Sequence, residues 1–183
     1  QIMSERNNTP VIIGIVFVAV IAFVVGLNSK SQDTELIRET ESTLNPRVEA
    51  AIRISLDKPV GLLTIQDFEN VDKLDLFNAG IEDISFLSKL KNIRELNIGQ
   101  NPIIDFSPLA QIHRAEYVWL GHYSTELSGK ISVDLKFLTG LKKIKKLQVV
   151  GSKLSDLSPL VNLTDLYHLD LAFTTVENFR SLG

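Results

Sequence analysis

The chain has 183 residues, 44% of them apolar and 22% charged, a balance that fits one ordinary domain with a real core plus some appended sequence, and not two domains. A net charge of −3, with lysines and arginines interleaved among acids, excludes the field that draws in a polynucleotide, so no nucleic-acid partner is expected. With no cysteine present, a disulfide framework, a thiolate zinc site and a thiol nucleophile are excluded as well.

Residues 1–9 form a short leader in which Arg6 is offset by Glu5. From Val11 to Leu27 the sequence reads VIIGIVFVAVIAFVVGL, seventeen residues without a polar side chain, fenced by Pro10 and Asn28. At ~1.5 Å rise per residue this run sits at the short end of the spanning range, and it predicts a transmembrane helix over 10–28 that meets the membrane through 11–27. A cleaved export signal is the alternative, and it is less favoured because the leader is not basic and the cut after Gly26 is mediocre. A buried soluble helix would show a polar face, which this run lacks. Residues 29–44 are mostly polar and charged and read as a stalk.

Asn45 followed by Pro46 is a helix-start signal, and the segment behind it places Val48, Ile52 and Leu56 on one face of a short amphipathic helix. From Val71 the chain repeats itself. Units run over 71–92, 93–114, 115–143, 144–165 and 166–183, with 22 residues in the first, second and fourth and 29 in the third. The surplus in the third unit is assigned to an insertion at 121–133, and the last unit is truncated.

Two apolar columns lie two residues apart, Leu74, Leu96, Val118, Leu147 and Leu169 beside Leu76, Ile98, Leu120, Val149 and Leu171, which is strand periodicity toward one core. Further columns are Ile81, Ile103, Leu154 and Val176, then Leu87, Leu109, Leu138, Leu160 and Leu182, then Leu90, Ile112, Leu141 and Leu163. Twenty-two residues suffice for a strand, a turn and an extended or 3₁₀ return. Ser85, Ser107 and Ser158, each before Phe86, Pro108 or Pro159, suit a serine cap on that return.

These columns, with the recurring DFSPL and DLSPL turns, resemble the leucine-rich repeat family, in particular the 22-residue bacterial type of internalin-like surface proteins, over roughly residues 46–183. The resemblance implies an α/β fold class: a leucine-rich repeat solenoid with a curved parallel sheet, a 3₁₀ or extended convex side, and a helical N-terminal cap over 45–70, here preceded by one transmembrane helix. One departure stands out. The family places an asparagine ladder after the strand, whereas this chain has Ala79, Asn101, Tyr123, Ser152 and Thr174 there. Gln1 at the start and a pattern still running at Gly183 lead us to expect an excerpt of a longer protein.

Strand alternation identifies the residues on the concave face. The middle column is Asp75, Asn97, Trp119, Gln148 and Asp170, flanked by Lys73, Glu95, Tyr117, Lys146 and His168 on one side and by Phe77, Gly99, Gly121, Val150 and Ala172 on the other. Tyr117 and the single Trp, Trp119, are expected to form the centre of a ligand-binding face that also uses Phe77, Lys73, Glu95, Asn97, Lys146, Gln148, His168 and Asp170. His122 and Tyr123 of the insertion would form a side wall; alternatively the insertion folds back and covers the aromatic pair.

No catalytic residue, metal ligand set or cofactor site is expected. His168 and Asp170 could orient each other, but no nucleophile accompanies them, and the acids at 83, 105, 134 and 156 recur once per unit as turn residues. The expected function is a membrane-anchored module for non-covalent recognition of a protein or peptide ligand. By analogy with exported recognition modules the repeats would be extracytoplasmic, because Arg6 against Lys30 and Arg38 leaves the charge rule nearly flat. A substrate or sensor arm of a larger enzyme or signalling protein, and a self-associating envelope protein, are the alternatives.

Overall fold

The computed structural model describes residues 44–123 and 130–177. The apolar run at 11–27, nearly all of the polar stretch after it and Leu182 lie outside the described residues. Among the described residues no helix is long and apolar enough to cross a membrane.

The first helix, α1 (Pro46–Ser55), begins where the Asn45 side chain accepts the Arg47 backbone N–H at 2.9 Å, and Pro46 takes the first-turn place where a missing donor costs nothing. Its inner face buries Val48 and Ile52 completely in the same apolar cluster as Leu74 and Leu76. A second helix, α2 (Ile65–Asn70), was not expected. Its start is written as Thr64 and Asp67, whose side chains each bond the other's backbone N–H in a reciprocal cap.

Beyond these helices the repeat builds a solenoid. Strands β1 (Lys73–Asp75), β2 (Glu95–Asn97), β3 (Tyr117–Gly121), β5 (Lys146–Val150) and β7 (His168–Asp170) form a five-stranded parallel sheet. Its register pairs Leu74 with Leu96, Leu96 with Val118, Val118 with Leu147 and Leu147 with Leu169, the apolar column read from the sequence. A second parallel sheet, β4 (Ile131–Ser132), β6 (Ser152–Leu154) and β8 (Thr175–Val176), was missed. It corrects the insertion boundary at both ends: Gly121 still pairs with Val150, Ile131 pairs with Ser152, and Val133 is buried in the core. The additional chain therefore falls between these anchors rather than over all of 121–133.

The return path is a stack of short 3₁₀ helices at Ser85–Lys89, Ser107–Gln111, Leu135–Gly140 and Ser158–Asn162, burying Leu87, Leu109, Leu138 and Leu160. Serine is not the cap. The carboxylate two residues earlier accepts the backbone N–H instead, Asp83 from Ser85 at 2.8 Å, Asp105 from Ser107 at 2.8 Å, Asp134 from Lys136 at 3.0 Å and Asp156 from Ser158 at 2.9 Å. A short acidic side chain reaches an N–H two positions on without distorting the turn, which is why the acid recurs in every unit that has this helix.

Strand length has a similar local cause. Asp75, Asn97 and Asp170 each accept the N–H two residues ahead, and β1, β2 and β7 end at those residues. Trp119 and Gln148, at the same column, cannot form that tight turn, and β3 and β5 run two residues further. The extension costs freedom at Gly121, whose φ is +96° and where a Cβ would stand 2.0 Å from the Val150 carbonyl oxygen, so only glycine fits. It also turns the third outward column inward at this point, because Val150 is completely buried.

Candidate functional site

The outward face of the five-stranded sheet carries two neighbouring clusters. In the first, Tyr117 and Trp119 lie half-buried on β3 with their rings stacked at a centroid separation of 6.3 Å and an angle of 17°. The Lys146 ammonium stands 5.8 Å from the Tyr117 ring and 5.6 Å from the Tyr167 ring, a cation held between two aromatic faces. Sequence reasoning missed Tyr167, because it lies one residue outside the strand alternation.

The second cluster surrounds a groove of about 420 Å³ lined by Lys73, Asp75, Phe77, Glu95, Asn97, Gly99, Trp119, Tyr123 and Gln148, with Leu74 and Leu120 beneath. Phe77 is 48% and Tyr123 51% exposed, so two aromatic rings line its rim in water. The floor is open because Gly99 has no side chain; a Cβ there would be 3.4 Å from Phe77 Cδ2 and 3.5 Å from Asn97 Oδ1. Lys73 and Glu95 pair at 2.8 Å across the first two strands. The Tyr123 hydroxyl donates to Gln148 Oε1, and Gln148 Nε2 donates to Asp170 Oδ2, both at 3.2 Å. Tyr123 thus comes back over the face from the insertion side.

One residue expected at this surface is placed otherwise. His122 is not part of a side wall: it is only 3% exposed, its backbone N–H donates to the Val150 carbonyl at 2.8 Å, and its ring hydrogen-bonds the Asn101 backbone carbonyl. Burial pushes its pKa down, with the Asn101 bond opposing that shift, and Nδ1 has no partner among the described residues. His168 is exposed on β7, and Asp170 is engaged by Gln148 and the Ala172 N–H rather than by His168. Among the described residues no group of three His, Asp or Glu is placed to hold a metal ion.

The column just before the strands was also overlooked. Arg94 pairs with Glu116 at 3.0 Å and Lys145 with Glu116 at 2.8 Å, linking three successive units through one carboxylate. Lys145, then Arg94, hold the Glu116 carboxyl down at about 2. The signal was a column of alternating sign over the first four units, Asp72, Arg94, Glu116 and Lys145.

Residues 69–111 match the family model for Leucine Rich repeats (2 copies). Leucine-rich repeats are therefore present in the chain, and the observed pairing carries the same register through β7. No curated protein is a significant match. Among solved structures, the chain is similar to an internalin (inlF) from Listeria monocytogenes at 23% identity and a TM-score of 0.48, over 75% of this chain and 52% of that one. It is also similar to an internalin C2 from the same organism, at 20% identity and a TM-score of 0.32, over 76% of this chain and 88% of that one. A leucine-rich repeat protein of Leptospira interrogans gives 18% identity and a TM-score of 0.42, over 61% and 34%. The chain spans about half the length of the first of these.

Proposed function

We propose that this leucine-rich repeat module binds a protein or peptide non-covalently on the outward face of its five-stranded sheet, with Trp119 at the centre. The observation that carries the reading is the groove itself: exposed Phe77 and Tyr123, half-buried Trp119 and the amides of Asn97 and Gln148 converge on one open cavity. Exposed aromatic rings are costly in water and become the dominant contacts when a partner covers them, while nearby amides set orientation. A floor made of glycine lets a partner's backbone or side chain approach the strands closely.

In this reading residues 11–27 anchor the chain in a membrane, which is supported by an uninterrupted apolar run ahead of a polar stretch, and the repeats face the extracytoplasmic side by analogy with exported recognition modules. The surface offers oriented hydrogen-bonding groups without a nucleophile poised beside a base, so binding rather than bond cleavage is the proposed chemistry.

The test is selection of binders from a random linear peptide library displayed on phage, with every selected clone rescreened on the Trp119→Ala variant. Binders are expected to lose at least about tenfold in affinity on that variant, since truncating a central aromatic typically costs that much. They should also shift the emission of the single Trp. Selection of no binders, or of binders indifferent to Trp119, would remove the proposed face from consideration.

A further inference from the structure

We infer that the groove is built to take one basic side chain of an extended peptide, an arginine above all, between Trp119 and the Asp75 carboxylate. This rests on the recognition reading above and names the chemistry of its ligand. Three charged residues line the groove, and two of them cancel, because Lys73 is paired with Glu95 at 2.8 Å. Asp75 remains: Oδ1 accepts the Phe77 N–H at 3.0 Å, and among the described residues no cation is paired with the carboxylate. The groove therefore carries one uncompensated negative charge beside two aromatic walls, Phe77 and Trp119.

The same face shows what its aromatics do when a cation is within reach. Lys146 sits between Tyr117 and Tyr167, whereas among the described residues no cation lies over Phe77, Trp119 or Tyr123. Asp75, Asn97 and Trp119 are directly opposite one another in register on three adjacent strands, so the carboxylate and the indole are set roughly 10 Å apart at their backbones. A planar guanidinium can stack on the indole and direct its fork of N–H donors at the carboxylate, which a compact ammonium does less well and a neutral amide does without charge.

Asp75→Asn tests this cleanly. An amide oxygen can still accept the Phe77 N–H, as Asn97 does for Gly99 one unit later, so the strand end survives while the charge goes. Gly99→Val is an independent variant that fills the floor, its Cβ meeting Phe77, Asn97 and Gly121 at ordinary contact distances without a strained φ. Trp119-dependent peptides from the library are resynthesised with their basic residue replaced by Gln, and binding to the full chain is read from Trp emission at low and high salt. The expected results are a shared arginine, a loss of about tenfold on its replacement, and a loss on Asp75→Asn that is not compounded by the Gln replacement. Binding should also weaken with salt and vanish with Gly99→Val. Trp119-dependent peptides that lack a basic residue, or that bind Asp75→Asn unchanged, would overturn the inference while leaving the recognition face standing. An absence of any Trp119-dependent peptide would overturn both.

Discussion

Asn101 shows how one side chain can join two repeats. It is buried, its Nδ2 donates to the carbonyls of Leu76, Ile98 and Gly99 at 2.8, 2.9 and 3.1 Å, and its Oδ1 accepts the Ile81 N–H at 3.1 Å. The other positions of that column lack asparagine, yet the carbonyls near them find donors. The Arg47 guanidinium reaches Ala79 from α1, the His122 ring bonds the Asn101 carbonyl, Ser152 Oγ bonds Val150 at 3.3 Å, and Thr174 Oγ1 bonds Val149 at 2.7 Å. Backbone groups buried between stacked units have no water to turn to, so each substitute donor carries a share of the stacking. Asn101→Ala takes the side-chain partner from the Ile81 N–H and the Ile98 carbonyl and one of two donors from the Leu76 and Gly99 carbonyls, which keep the Ala79 and Asn78 N–H groups. It is expected to lower stability by about 2–3 kcal/mol, read as a reduced urea midpoint at unchanged slope. A loss under about 0.5 kcal/mol would mean that water or a relaxed backbone replaces the amide.

At the scale of the element, the recurring aspartate rather than the serine defines where each 3₁₀ helix starts. Asp105→Ala should lower the thermal midpoint by about 2–4 °C and Asp105→Asn by much less, because an amide oxygen still caps the Ser107 N–H. Equal losses for the two would assign the effect to charge instead. This element also marks how much of the structure could be read beforehand. The five long columns were legible because a residue every 22 positions faces the same core, and the strand register follows from them. The second sheet was not, because strands of two or three residues such as Ile131–Ser132 are too short for alternation to stand out. The face was legible at Trp119, Asn97 and Gln148 for the same reason as the core. His122 was misread because the insertion hid a one-residue shift: Gly121 rather than its successor takes the positive φ, and the imidazole turns inward. Nor did spacing say that Asp75, Asn97 and Asp170 spend one oxygen each on ending their strands.

In the molecule as a whole, each repeat touches only its neighbours, so anything that spans three units has a disproportionate part in cooperativity. Glu116 is such a link, between Arg94 and Lys145, and it connects stability to pH. Its carboxyl is held at about 2 in the folded chain against an ordinary value of 4.5, so its contribution is present above about pH 4.5 and is lost as pH falls through about 2. His122 acts higher on the scale: burial pushes its pKa below the ordinary 6.5, the unfolded chain binds the proton more readily, and stability falls as pH drops below 6.5. The urea midpoint should therefore decline in two stages on acidification. Glu116→Gln should flatten the stage below pH 4.5 and leave the upper one, and His122→Asn should do the reverse. Some slope should persist at low pH in Glu116→Gln, because the Ser107 backbone and hydroxyl also lower the Asp105 pKa. If Glu116→Gln left the acid limb unchanged, the three-unit ion link would be an exposed contact without weight in folding, and the cohesion of the array would lie in its buried columns and in the donors around Asn101 alone.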